Sequence, residues 1–225
     1  MEVSQQLVQI KERIKEACTR VCRDFSEVKI VAVTKYVTNE RTREAVVAGV
    51  IHIGENRIEG LKEKRAFLSD SDVKWHFIGS LQRRKVKDVL QAGVDYIHSL
   101  DRLSLAEEIQ KRSTSVVNCF IQINISGEAS KHGLKVEEVG SFVKQLEGFD
   151  RIRIVGCMTM APFEASQSEI RAVFRKLKQI QEEIQALNLP YAPCNECSMG
   201  MSNDYEIAIE EGATFIRLGT ILVGS

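Results

Sequence analysis

Short apolar runs alternate with longer stretches of helical period along the whole chain. The strand-like runs lie at 28–35, 51–54, 74–79, 95–99, 118–125, 152–159, 194–198 and 214–218, each rich in Val, Ile, Phe or Cys. Helical patterns fall between them near 40–49, 55–69, 81–92, 102–112, 136–147, 166–187 and 203–212. The clearest is 166–187, where Ile170, Val173, Phe174, Leu177, Ile180, Ile184 and Leu187 mark one face before Pro190 blocks continuation. Gly49, Gly93, Gly148 and Gly212 sit where helices should end, as residues able to take positive φ. Ahead of the first strand, Leu7, Ile10, Ile14, Cys18 and Val21 recur three or four apart, so Met1 to Arg23 reads as an amphipathic helix whose stripe must pack on something.

Strands that alternate with helices pair in parallel through right-handed crossovers, and a closed (β/α)8 barrel satisfies all of them without leaving an edge. A doubly wound open sheet is the rival. Its first turn is usually glycine-rich, whereas the first strand here ends in Thr34-Lys35-Tyr36. The expected architecture is therefore an α/β fold, a single (β/α)8 TIM barrel over residues 1–225 with an extra N-terminal helix. Such a barrel collects function at the carboxyl ends of its strands, where Lys35, Glu55, Asn56, His76, Gly79, Asn124, Ser126, Met158, Ser198 and Arg217 fall.

Composition narrows the function classes. At 225 residues, with 31 Lys plus Arg against 31 Asp plus Glu, the chain lacks the bulk basic charge of a nucleic-acid binder, and a membrane-surface role is equally unsupported. Lys11, Glu12, Arg13, Lys15 and Glu16 interrupt any signal-peptide core, and no run approaches the length of a membrane span, so a cytoplasmic protein is expected. The six cysteines are then expected to be reduced. Cys194-Asn-Glu-Cys197 leads into a strand and not a helix, and the histidines at 52, 76, 98 and 132 follow no ligand spacing, so neither a redox motif nor a metal site is expected. Asn124-Ile-Ser126 matches the glycosylation pattern, which is uninformative without secretion.

The candidate chemistry starts at Lys35, which closes the first apolar run. A lysine at the end of a buried strand is costly to keep charged, so desolvation should free its amine to form a Schiff base with an aldehyde; a snorkelling strand-end lysine is the alternative. The last run carries Arg217 among Phe215, Ile216, Leu218, Ile221 and Leu222, and ends in Gly219-Thr220. Ser198-Met-Gly-Met-Ser202 precedes Asn203-Asp-Tyr-Glu206, which has capping-box spacing for a helix start. Loops after strands seven and eight of barrels often bind phosphate, so Ser198, Gly200, Ser202, Gly219 and Thr220 form a candidate cradle. A buried Arg217 needs a polar partner, either a pyridine nitrogen or a barrel carboxylate such as Glu55. Together the lysine, the arginine and the phosphate turns point to pyridoxal phosphate. Asn56 is a further candidate contact; His76 reads first as a hydrogen-bonded core histidine, Asn124 as either a ring contact or a strand-end tie, and Arg83-Arg-Lys-Val-Lys87 as a solvated basic face.

Val31-Ala-Val-Thr-Lys35, Gly54-Glu-Asn56, Trp75-His-Phe-Ile-Gly79 with Leu81-Gln82, Ile121-Gln-Ile-Asn-Ile125, Ser198-Met-Gly-Met-Ser202 and Arg217-Leu-Gly-Thr220 resemble, in order and over nearly the whole chain, the pyridoxal phosphate homeostasis proteins. The resemblance implies a barrel like the amino-terminal domain of bacterial alanine racemases. It implies a Schiff base on Lys35, phosphate contacts from Ser202, Gly219 and Thr220, and Arg217 at the ring nitrogen. Arg83-Arg84 and Cys157-Met-Thr-Met160 depart from the family's usual residues.

A non-catalytic carrier of pyridoxal 5'-phosphate is therefore the first expectation, with no catalytic residue assigned, pyridoxal-phosphate-dependent apoenzymes as recipients and a monomeric state. An amino-acid racemase is the alternative, but it needs an opposing acid/base, a tyrosine from a separate β-domain that this sequence is expected to lack. A third possibility, a barrel enzyme acting on a phosphorylated substrate, would be colourless.

Overall fold

The computed structural model describes residues 2–128 and 131–224. A leading helix α1 (Val3–Arg20) is followed by alternating strands and helices: β1 (Lys29–Val33), α2 (Asn39–Val47), β2 (His52–Glu55), α3 (Ile58–Phe67), β3 (Lys74–Phe77), α4 (Val86–Gln91), β4 (Tyr96–Leu100) and α5 (Leu103–Arg112). The second half continues with β5 (Val117–Gln122), α6 (Val139–Gln145), β6 (Ile152–Met158), α7 (Gln167–Gln185), β7 (Glu196–Met201), α8 (Tyr205–Glu210) and β8 (Phe215–Leu218). The strands pair in parallel in sequence order, and β8 returns to β1 with Lys29 opposite Phe215 and Val31 opposite Arg217. The expected closed barrel is the observed one.

Each strand has two unlike faces. Outward residues join the helices in one large cluster that includes Ala32, Ile53, Trp75, Ile97, Cys119 and Ile154 with Leu61, Ile109, Phe174 and Leu177. Inward residues form a smaller cluster of Val31, Phe120, Met158 and Phe215, contributed by four different strands. α7 shows how sequence sets the outer layer. Its Ser166 and Glu169 close a capping box at the start, and Val173, Phe174, Leu177, Ile180 and Ile184 are buried along one stripe. The helix stops at Gln185, so Leu187, placed on that stripe by spacing, is half exposed.

α1 packs against α8 and α2, covering the place where the barrel closes. Leu7, Ile10, Ile14 and Cys18 are buried there, and Arg20 pairs with Glu206 and Glu210 of α8. Val21 falls beyond the helix end and is exposed; Met1, the first residue of the expected helix, lies outside the described residues. Gly49, Gly93, Gly148 and Gly212 all take the positive φ expected of helix ends.

Several boundaries differ from the pattern. Glu55 belongs to β2, so α3 starts at Ile58. The patterns at 81–92 and 136–147 each open with a short 3-10 turn, Arg83–Lys85 and Val136–Glu138, before the α-helix. β7 begins later than expected and runs on to Met201, which moves Gly200 from a loop into the strand and Ser198 from its end to its interior.

Candidate functional site at the carboxyl ends of the strands

Barrel closure brings the start and the end of the chain together. β7, β8, β1 and β2 are consecutive neighbours, so the turns carrying Ser202, Thr220, Lys35 and Asn56 follow one another along the rim. A Cβ placed on Gly219 would lie 3.7 Å from both Cβ and O of Val33, which puts the turn after β8 against the end of β1. Asn56 is half-buried, and its backbone packs so closely on Gly79 that a Cβ there would lie 2.4 Å from the Asn56 oxygen. Gly79 is therefore required by close approach.

Lys35 stands in the turn after β1 and is exposed, with Nζ 4.8 Å from the centre of the neighbouring Tyr36 ring. Lys35 is not buried as the run suggests, because β1 ends at Val33. What fixes this turn is the residue before it. Thr34 is fully buried; its hydroxyl donates to Glu55 Oε1 at 2.6 Å, and Lys64 Nζ donates to the Thr34 carbonyl at 2.9 Å and to Glu55 Oε1 at 2.8 Å. Glu55 therefore pairs with Lys64 on the outer side of the barrel and not with Arg217.

Arg217 points inward from β8 and is buried. Its Nη1 donates to Ser198 Oγ at 2.6 Å and its Nη2 to the Thr159 carbonyl at 3.0 Å, which occupies a minority of the guanidinium donors. Burial lowers its pKa to about 10, still well above neutrality, and nearby Asp204 opposes that shift. Burial pushes the Asp204 carboxyl upward, while the hydrogen bond it accepts from the Met201 N–H and the charge of Arg217 pull it down. The expected capping box at 203–206 is not formed: α8 starts at Tyr205, and Asp204 makes no side-chain cap but holds the end of β7 instead.

The proposed cradle residues separate into two groups. Ser198 is fully buried, with its hydroxyl committed to Arg217 and to His98 Nδ1 at 2.9 Å. Gly200 takes φ +88, and a Cβ there would lie 2.5 Å from the Ala208 Cβ, so this glycine admits α8. Both are strand residues beneath the rim. Ser202, half-buried, and Thr220, exposed, stand on the rim beside Gly219. The backbone N–H groups of Ser202, Asn203, Thr220 and Ile221 take no acceptor among the described residues. Two hydroxyls and several free amides are a donor set that suits a phosphate dianion.

Among the other candidates, His76 is the hydrogen-bonded core histidine expected. Asn124 ties strand-end backbone by donating to the Glu128 carbonyl at 2.9 Å. Cys194 and Cys197 are buried free thiols, and no group of three or more His, Cys, Asp or Glu side chains among the described residues is arranged to hold a metal ion. Reading the sequence missed His52, His98, Thr159 and Lys64. The first two were discoverable, since His52, His76 and His98 occupy inward positions on consecutive strands at nearly equal spacing.

Residues 6–225 match the family described as alanine racemase, N-terminal domain. The pyridoxal phosphate homeostasis protein of Aquifex aeolicus is 39% identical over 230 residues, which take in 100% of this chain and 98% of the relative. The chain belongs to the pyridoxal phosphate homeostasis protein family. The structure of PipY from Synechococcus elongatus, solved with pyridoxal phosphate bound, is 30% identical, with a TM-score of 0.85 over 99% of this chain and 100% of that one. The alanine racemase of Corynebacterium glutamicum shares the fold alone, at 12% identity and a TM-score of 0.72, and the match covers 98% of this chain but 59% of the racemase.

Proposed function

We propose that this chain binds pyridoxal 5'-phosphate covalently through Lys35 and serves intracellular homeostasis of that cofactor, without amino-acid turnover of its own. The observation that carries the reading is the juxtaposition made by barrel closure: Lys35 in the turn after β1 beside the donor-rich turn after β8, with Arg217 beneath. Membership in the homeostasis family and the pyridoxal phosphate held by PipY support it.

Bound pyridoxal phosphate supplies an aldehyde that reacts with amines and a ring that withdraws electrons. In this reading Lys35 holds the aldehyde carbon at Nζ. Ser202, Gly219 and Thr220 bind the phosphate through hydroxyls and amides, and Asn56 borders the ring. Arg217, a cation at neutral pH, would donate a hydrogen bond toward the ring nitrogen, which would leave that nitrogen without a proton of its own and make the ring a weak electron sink. Ser198 and Gly200 act one layer below, Ser198 by holding Arg217 and Gly200 by admitting α8.

That weak sink is what favours a carrier over a racemase, which also needs an acid/base group on the opposite face of the ring. The cytoplasm as location, a monomeric state and pyridoxal-phosphate-dependent apoenzymes as recipients belong to the same proposal. No helix among the described residues is long and apolar enough to cross a membrane. Purified protein supplied with the cofactor should be yellow, and Lys35→Ala should lose the absorption band of the lysine-bound form. A band retained in the variant would place the attachment elsewhere. Exchange of the α-hydrogen of L- or D-alanine with solvent deuterium at an enzymatic rate, lost in Lys35→Ala, would replace the carrier with a racemase.

A further inference from the structure

His52, His76 and His98 stand inside the barrel, end to end. His52 Nδ1 lies 2.8 Å from His76 Nε2, and His76 Nδ1 lies 2.8 Å from His98 Nε2. His98 Nδ1 then meets Ser198 Oγ, which meets Arg217 Nη1. Strand register lays out the path. His52 is level with Lys74, so His76 lies one inward position farther along its strand; His76 is level with Tyr96, so His98 lies one farther again. The chain thus climbs from the amino-terminal side of the barrel toward the carboxyl ends. Stacked rings hold its members in plane, Tyr96 on His76 and Phe120 on His98, each at 4.3 Å between centres.

We propose that these residues form a one-way hydrogen-bond wire, from Arg217 through Ser198, His98 and His76 to His52, in which every histidine is the neutral Nε2–H tautomer and which couples the amino-terminal side of the barrel to Arg217. The direction follows from counting donors. Arg217 can only donate, so Ser198 Oγ accepts from it. The fully buried Ser198 hydroxyl has one other neighbour, His98 Nδ1, and must donate there or be left without an acceptor, at a cost of about 1–3 kcal/mol. His98 Nδ1 is then an acceptor and His98 Nε2 a donor, which fixes His76 in the same sense, and His76 fixes His52. The one donor left over is Nε2–H of His52. That is the proper end for it, since His52 keeps 8% exposure while His76 and His98 keep none.

An added proton has no place in this chain. It would set two donors face to face at one junction, unless every group reversed as far as Ser198, whose hydroxyl would then accept from both neighbours and have no acceptor for its own proton. Burial, first among the causes, pushes His52 down to about 4 and His76 and His98 well below their ordinary value. Around His52 the charges of Lys29 and Lys74 add to that effect, and Asp95 and Glu196 oppose it. With the wire fixed, Arg217 spends Nη1 on the interior and presents the rest of its fork elsewhere. Its use toward the cofactor ring rests on the proposed function; the tautomers do not, and they are measured on protein without cofactor.

Long-range proton–nitrogen NMR on uniformly 15N-labelled protein at neutral pH distinguishes Nε2–H from Nδ1–H imidazoles, with exposed His132 as an internal reference. All three barrel histidines should be Nε2–H. A Nδ1–H tautomer or a doubly protonated ring at any of them overturns the wire. Ser198→Ala, which cuts the link to Arg217, should shift His98 toward a mixture of tautomers, and Ser198→Thr should restore the single form. His52→Leu should change the nitrogen shifts of His98, two links away, whereas His52→Asn, which keeps an acceptor where Nδ1 was, should not. Unchanged His98 shifts in a folded His52→Leu protein would reduce the chain to three separate contacts. If that variant does not fold, the parent tautomers and the Ser198 pair still decide.

Discussion

The two faces of the barrel strands solve different problems. Outward, Ile53, Ile97, Cys119 and Ile154 meet helix residues such as Leu61, Ile109 and Phe174 in an apolar layer that runs around the whole molecule. Inward, four hydrophobic residues share the space with His52, His76, His98, Ser198 and Arg217. The outer layer is where burial stabilises the fold, since apolar area removed from water contributes on the order of 25 cal/mol per Å2. The inner column is polar and costly to desolvate, so each group in it must have a partner. Stability and site chemistry are therefore separable here, by which way a residue points.

The largest test of that division is Phe174→Ala in the outer layer. Phe174 is fully buried, so its truncation should destabilise the protein by roughly 3–5 kcal/mol, seen as a lower denaturant midpoint. The fraction that remains folded should bind pyridoxal phosphate as the parent does. Weakened binding in that fraction would show that the two faces are not independent.

Glu55 and Lys64 sharpen the comparison, since they form a charged pair on the apolar side. Lys64→Met leaves Glu55 buried without a cation and should cost about 3 kcal/mol, with most of the loss recovered by adding Glu55→Gln. Because Lys64 also holds the Thr34 carbonyl, the single variant should load Lys35 more slowly than the parent. Equal stability of the single and double variants would remove the ion pair from the account.

Acid tests the inner column. Unfolded histidine takes a proton near 6.5, whereas folded His52 resists until about 4. Between those values the unfolded chain binds more protons, so the stability contributed by neutral His52 is full above pH 6.5 and falls as pH drops through the window. The slope is about 1.4 kcal/mol per pH unit for each such histidine. His52→Asn should show a shallower loss between pH 6.5 and 5 than the parent; identical slopes would contradict the assignment.

The smallest effect on stability belongs to the rim. Ser202→Ala with Thr220→Val should change unfolding by no more than about 0.5 kcal/mol and yet weaken cofactor binding. Parent-like affinity would take the phosphate away from these turns.

The architecture was legible in the sequence because alternation of strand-like and helical runs is a property of the outer, apolar face. Val173, Phe174 and Leu177 announce their helix whatever lies inside the barrel. The rim was legible too, since Lys35, Gly219 and Thr220 end apolar runs. What the pattern could not show was depth. Ser198 read as the last residue of its strand because Gly200 two positions later looks like a turn, but that glycine makes room for α8 and the strand passes through it. Lys35 read as buried because the apolar run extends beyond the paired strand, which ends at Val33. The histidine column escaped because its members are far apart in sequence and meet only through strand register and barrel closure.

The central claim is that Lys35 holds the cofactor, and borohydride reduction tests it most directly. Protein incubated with pyridoxal phosphate, reduced and digested should carry the pyridoxyl phosphate mass on the peptide containing Lys35, at one equivalent per chain. The same mass on another lysine in place of Lys35, or spread over many lysines without preference, would contradict the account.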